Sequence, residues 1–405
     1  MGFTVPPAKK ANTALTTPNT ANNDGFLMDL PSQIILEILT RLPVGTIINC
    51  KSVCKQWHAL ITHPYFSSLH FSRARRGLVV RHSEIFKKFF QIIDLDDGHN
   101  AAGDHLPHST MLQFNVANIS AFSDADVVVD GSADGLLFLR DINYKHETLY
   151  VCNPVTRQYA TLPPPRRTVR YPSVVTHGFG ATAAGEYKVV RVFHERILDP
   201  DTRACLAVPF SECQVYTVGT GAWRTVVAAT PFAYDSCCVG LFLRGNIHWL
   251  IKDLSGLELI SCFDLERETF TPFPPPFPAR RILGSLGVLR GCLCLCDNSS
   301  HSDIEIWVMK EYGVEKSWSK EIVIKKIDKL TGPSFHVVRV LRAFGDGQLL
   351  LMWGDFFMFY YCTKTKVVRG VDVHQPVGPN SIEAMDYAPT FLSLQKFVKE
   401  NVNVF

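Results

Sequence analysis

The chain has 405 residues and no run of about 18 uncharged apolar residues, so a membrane-spanning helix is not expected. Charge of either sign is barely in excess. The 41 Lys and Arg against 38 Asp and Glu leave a net +3, too little to argue by itself for nucleic acid or an anionic membrane as partner. None of the 12 cysteines forms a Cys-x-x-Cys pair. Cys292, Cys294 and Cys296 alternate, which on a strand places them on one face and outside zinc-ligand spacing, and Cys237 and Cys238 are adjacent. The cysteines therefore read as small buried hydrophobes kept reduced, and no metal is expected.

Catalytic signatures are missing too. There is no Gly-x-Ser-x-Gly elbow, no phosphate-cradling Gly-x-x-x-x-Gly-Lys and no His-Glu-x-x-His. His177, His194, His248, His301 and Asp303 are scattered, as structural hydrogen-bonding side chains are. No enzyme activity and no cofactor are expected. Residues 1–24 are polar and threonine-rich, unlike a secretory signal, and Gly2 is followed by Pro6 where a myristoylation signal wants Ser or Thr. The expected location is intracellular, with cytoplasm and nucleus both open, because Pro7-Ala8-Lys9-Lys10 is too short for an import signal.

What is present falls into two textures. After a leader of residues 1–25 expected to be disordered, residues 26–71 show helical periodicity. Pro31 suits a first helical position, apolar residues recur at Ile34, Ile35, Ile38, Leu39 and Leu42, and Pro43 ends the helix. A second run follows at Val44, Ile47 and Ile48. A third covers Cys50, Val53, Cys54, Trp57, Leu60 and Ile61, closed by His63-Pro64. Three helices in so short a segment cannot bury all this surface among themselves. Ile34, Leu36 and Trp57 do not share one inward stripe, so a partner or the rest of the chain must cover the remainder. Ser72-Arg73-Ala74-Arg75-Arg76 reads as a short basic link.

From residue 77 to 395 short apolar runs alternate with Gly, Pro, Asp and Asn. One shape repeats, a strand, a polar turn and a strand, with residues seven apart flanking the turn: Cys152 and Tyr159, Tyr216 and Trp223, Phe263 and Phe270, Tyr361 and Val368. A longer copy runs from Ile306 to Trp318. Upstream lies a glycine that opens an apolar strand, at Gly135, Gly245, Gly291 and Gly347, with a fifth copy at Gly185. A period near 50 residues built of short strands predicts a β-propeller of about six to eight blades. The first blade is poorly marked, since residues 94–110 look loop-like, and the ring is expected to close within 382–394. Residues 396–405 are expected to be a helical or frayed tail. The fold class is thus mainly β with a small N-terminal α module.

The spelling Leu30-Pro31, Ile34-Ile35, Ile38-Leu39, Arg41-Leu42-Pro43, Cys50 to Lys55, Trp57 and Leu60-Ile61 resembles the F-box. That resemblance implies docking on a Skp-family adaptor, which links to a cullin scaffold in a ubiquitin ligase. By motif position the docking residues would be Leu30, Pro31, Ile34, Leu36, Leu42, Pro43, Val44, Cys54 and Trp57. Asn153-Pro154-Val155-Thr156-Arg157, Gly178-Phe179-Gly180, Tyr187 to Val190, Gly245 to Trp249 and Trp307 to Gly313 look like the kelch-like F-box-associated domain of plant F-box proteins. The chain would then be the substrate-recognition subunit, with a client protein held by the propeller. Two alternatives stand beside this reading. One is an adaptor-binding scaffold acting outside a ligase. The other is a propeller enzyme, which would need acids or metal ligands converging on the central channel. The client site is unknown. Arg166, Arg167, Arg170 and Tyr171, after Pro163-Pro164-Pro165, have the side chains of binding hot spots. Pro274 to Arg281 is a second such stretch, and for both the stronger reading is an inter-blade linker stiffened by proline.

Overall fold

The computed structural model describes residues 30–83, 88–95, 108–115, 127–141, 147–165, 174–198, 205–226, 239–252, 257–277, 283–326, 336–355, 357–371 and 381–405. The leader expected over residues 1–25 lies outside them.

The helical module has four helices rather than three: α1 (Ser32–Leu39), α2 (Val44–Cys50), α3 (Lys55–Thr62) and α4 (Pro64–Arg73). The proline that ends α3 begins α4. His63 is extended, as a residue before proline must be, and its ring nitrogen accepts the Tyr65 N–H at 3.2 Å to cap the new helix. Pro64 then fills the first helical position, where its missing N–H costs nothing. Pro31, expected inside α1, is instead its extended cap residue, at φ −54° and ψ 140°. No helix among the described residues is long and apolar enough to cross a membrane.

The strands among the described residues form six sheets, the blades of the propeller. Blade one is stitched from both ends of the domain. Gly77–Ser83, Lys88–Leu95 and His108–Asn115 are joined by Ser381–Tyr387, which pairs antiparallel with Gly77–Ser83 and closes the ring. The stretch expected to be a loop from 94 to 110 therefore contributes strand residues at both its ends. Blade two holds Val127–Ala133, Leu136–Asp141, Leu149–Asn153 and Gln158–Thr161. Its fifth strand, Val402–Val404, pairs with Gln158–Ala160, so the tail that begins with a single 3-10 turn at Leu394–Lys396 ends as a strand rather than frayed. Blades three to six follow in chain order and end at Val371.

The hairpin repeat has a backbone cause. Cys152 pairs with Tyr159, Tyr216 with Trp223, Phe263 with Phe270 and Tyr361 with Val368, and in the longer copy Met309 faces Trp318. The residue before the closing strand partner's neighbour turns left-handed in four copies, at Arg157, Gly221, Glu268 and Lys366. The earlier turns at Asp134-Gly135, Arg244-Gly245 and Arg290-Gly291 have positive φ at both residues, the tight turn that matches the strand twist. The blades pack face to face around apolar layers. Phe138, Phe179, Tyr187 and Tyr216 meet between blades two and three, and Cys294, Cys296, Leu349 and Phe359 between five and six. Cys152, Cys213, Cys294 and Cys296 are buried, and burial raises all four thiols, Cys213 to about 12.

Candidate functional site

The helical module is not free-standing. Ile35, Leu39, Val44, Ile47, Cys50, Ile61 and Phe66 share one apolar core with Val155 and Phe391 of the propeller, and Leu112 packs against it. Of the docking residues read from the sequence, Val44 is spent in this core at 5% exposure and offers no surface. Leu30, Leu36, Leu42 and Trp57 are half-buried against it. Cys54 is half-buried and caps α3, its sulfur accepting the Trp57 N–H at 3.4 Å. Pro31, Ile34 and Pro43 are exposed. Ile34 and Ile38 are 47% and 44% exposed one turn apart, so they share one outward face of α1. Val53 stands out at 58%. Ile38 and Val53 were missing from the docking set. Both carry a helical spacing in the sequence, Ile38 from Ile34 and Val53 from Cys50, but Val53 lies in the turn between α2 and α3, where the structure has no helix.

The basic link ties α4 back to α1 through Arg73 and on to the propeller through Arg76. Arg73 and Arg41 converge on Glu37 at 2.9 and 3.1 Å, and the Arg73 hydrogen bond is the largest influence holding that carboxyl below its usual range. Arg76 pairs with Asp386 on the ring-closing strand.

At the propeller axis the first strands of neighbouring blades touch in a closed ring: Val127–Ala133, Val174–Ala181, Leu241–Leu243, Gly284–Leu289, Val338–Ala343 and Ser381–Tyr387. Here the tertiary fold gathers side chains that were scattered in the sequence. His177, 3% exposed, lies with Nε2 at 2.9 Å from Glu147 and Nδ1 at 3.6 Å from Asp130. Arg191 reaches Glu147 at 2.9 Å and Arg140 pairs with Asp130. Burial alone would raise the Glu147 carboxyl, but the hydrogen bond and charge of His177, joined by Arg191, bring it down to about 2. Arg81 binds Glu383 at 3.0 Å, and Arg339 binds Asp355 at 2.7 Å. Acids do converge near the channel, and each of these carboxylates faces a cation. Among the described residues, no group of three or more His, Cys, Asp or Glu is placed to hold a metal ion.

Both proline stretches begin as inter-blade connections. The Trp223 indole donates to the Pro163 carbonyl at 2.8 Å, and the Trp318 indole donates to that of Pro274 at 2.9 Å. Arg166, Arg167, Arg170 and Tyr171 lie outside the described residues.

Residues 27–69 match the F-box domain family, and residues 88–393 match the family described as F-box associated beta propeller domain. The chain belongs to the F-box proteins with an associated beta propeller. Similar proteins of Arabidopsis thaliana include an F-box protein 27% identical over 373 residues, spanning 84% of this chain and 86% of its own. The F-box protein CPR1 is 28% identical over 360 residues, spanning 80% and 79%. An F-box/kelch-repeat protein is 25% identical over 376 residues, spanning 90% and 94%. An F-box implies a Skp-type adaptor as partner, and members of this family typically act as non-catalytic adaptors.

Proposed function

We propose that this F-box protein is the substrate-receptor subunit of a Skp–cullin–F-box ubiquitin ligase, acting inside the cell. The observation that carries the reading is the outward pair Ile34 and Ile38 on α1, in an F-box whose inner apolar core is completed by Val155 and Phe391 of the propeller. An exposed aliphatic ridge of this kind suits an adaptor groove lined with apolar side chains. The F-box occupies the end of the propeller that carries the Asn153–Arg157 turn, so a client would sit at the other end, where the innermost strands begin. That end presents partly exposed charges, Arg140 and Glu383 at 29%, Arg339 at 34% and Asp355 at 54%, suited to a polar client surface. The work of such a receptor is proximity. It raises the effective concentration of client lysines beside the charged ubiquitin carrier without a catalytic residue of its own.

The test uses full-length protein, a purified Skp-type adaptor and the variant Ile34→Glu/Ile38→Glu. Both side chains are exposed, so the variant should melt as wild type does while its adaptor affinity falls at least about tenfold. A wild-type chain that fails to bind adaptor, or a variant that binds equally well, defeats the reading.

A further inference from the structure

Asn153, the first residue of the Asn153-Pro154-Val155-Thr156-Arg157 turn, is fully buried and uses its whole side-chain amide. Its Nδ2 donates to the carbonyls of Thr390 at 3.1 Å and Leu392 at 2.6 Å. Its Oδ1 accepts the N–H groups of Val155 at 3.0 Å and Thr156 at 3.4 Å. Only an amide supplies donors and an acceptor together in this way; an aspartate of the same shape would lose both donors.

The two carbonyls it holds flank Phe391, in the segment that leaves the ring-closing strand. Holding residues 390 and 392 aims the Phe391 ring at the F-box. The ring is 4% exposed and stands edge-on to Phe66 at 5.6 Å and to His70 at 5.0 Å on α4, with the Lys51 ammonium 5.2 Å from its centre. Beside it the Ser67 and Thr390 hydroxyls meet at 3.3 Å in a buried contact. Val155, two residues after Asn153, enters the same core at 3% exposure. Lys396 donates to the Thr62 carbonyl at 2.8 Å on the flank. The covalent link between α4 and the first propeller strand is only residues 74–76.

We infer that Asn153, Val155 and Phe391 form a seat that locks the F-box to the propeller as one body, and so act as positioning residues for ubiquitin transfer. Blade two and the ring-closing segment, 237 residues apart in the chain at the Asn153–Thr390 contact, are joined beneath the module that holds the adaptor. A client on the far end would then stand at one set distance and angle from the rest of the ligase. The positioning role rests on the receptor reading; the seat itself does not.

The experiment takes full-length wild type, Phe391→Ala and Asn153→Asp. Hydrogen exchange is read at the amides of α4 and of the blade strands, and adaptor affinity is measured separately. In a ligase reconstituted from adaptor, cullin and RING subunit, the lysines modified by self-ubiquitination are mapped. In both variants α4 exchange should rise at least about tenfold while blade exchange and adaptor affinity stay within about twofold, and the modified lysines should spread to more positions. Should Phe391→Ala unfold the propeller, Phe391→Leu reads the same amides with a smaller cavity. Fast α4 exchange in wild type, or an unchanged lysine pattern in variants whose α4 has loosened, overturns the inference. Loss of adaptor binding by wild type would sink the receptor reading alone, because exchange at α4 still judges the seat.

Discussion

Lowering the pH should loosen this protein through two buried imidazoles. His70 lies under the F-box at 3% exposure against Phe66 and Phe391, with the Lys51 ammonium over the far ring. His248 is fully buried in blade four, where Nε2 meets the Tyr312 hydroxyl at 2.7 Å and Nδ1 lies 3.3 Å from the Leu241 carbonyl. Burial pushes both down to about 4, from the ordinary 6.5. A histidine depressed in the folded state leaves stability whole above its unfolded pKa and erodes it as the pH falls from 6.5 towards 4. Between pH 7.5 and 5.5 each group then costs about 1.3 kcal/mol, and the pair about 2.6 kcal/mol. Urea unfolding across that range, for wild type and for His70→Leu/His248→Gln, measures the difference directly. Removing the two histidines should flatten the profile by that amount, whatever the other groups contribute. Parallel profiles for the two proteins would refute the reasoning.

Three further outcomes are expected. Gly135→Ala places a side chain at φ +79° and drives its Cβ into the Ala388 carbonyl and Thr390, so thermal melting should show a loss of about 2–4 kcal/mol. Lys188→Met should cost about 1–3 kcal/mol in denaturant midpoint. Its buried ammonium joins blades three and four by donating to the Leu265 carbonyl at 2.7 Å and to Glu268 at 2.8 Å, and Glu268 keeps Arg224 afterwards. Deleting residues 402–405 removes a three-residue strand and the Phe405 ring beside Tyr159, so amide exchange should quicken at Gln158–Ala160 while global stability falls by about 1–2 kcal/mol.

Whatever is settled within a few residues along the chain was legible before folding. A hairpin's register follows from its turn, so the pairs seven apart, Cys152 with Tyr159 and Phe263 with Phe270, could be read as strand partners before any fold was known. The glycines at 135, 245 and 291 marked where apolar strands open, and each proves to be the second residue of a tight turn, at a positive φ that few other residues take cheaply. The spelling of α1 to α3 named the F-box. The fourth helix escaped, since Pro64 reads as a stop and only its capped geometry shows it to be a start as well. Other features were decided by contacts between distant parts of the chain, which leave no period to read. Blade one is half-legible because its innermost strand arrives about 300 residues later, as the register of Gly77 against Tyr387 shows. His177 became part of an ion cluster only when blade packing brought Glu147 and Asp130 to it. The split of the F-box surface into Val44 inside and Ile34 outside depended on Val155 and Phe391 arriving from the propeller, because burial is a property of what covers a side chain and not of the side chain itself.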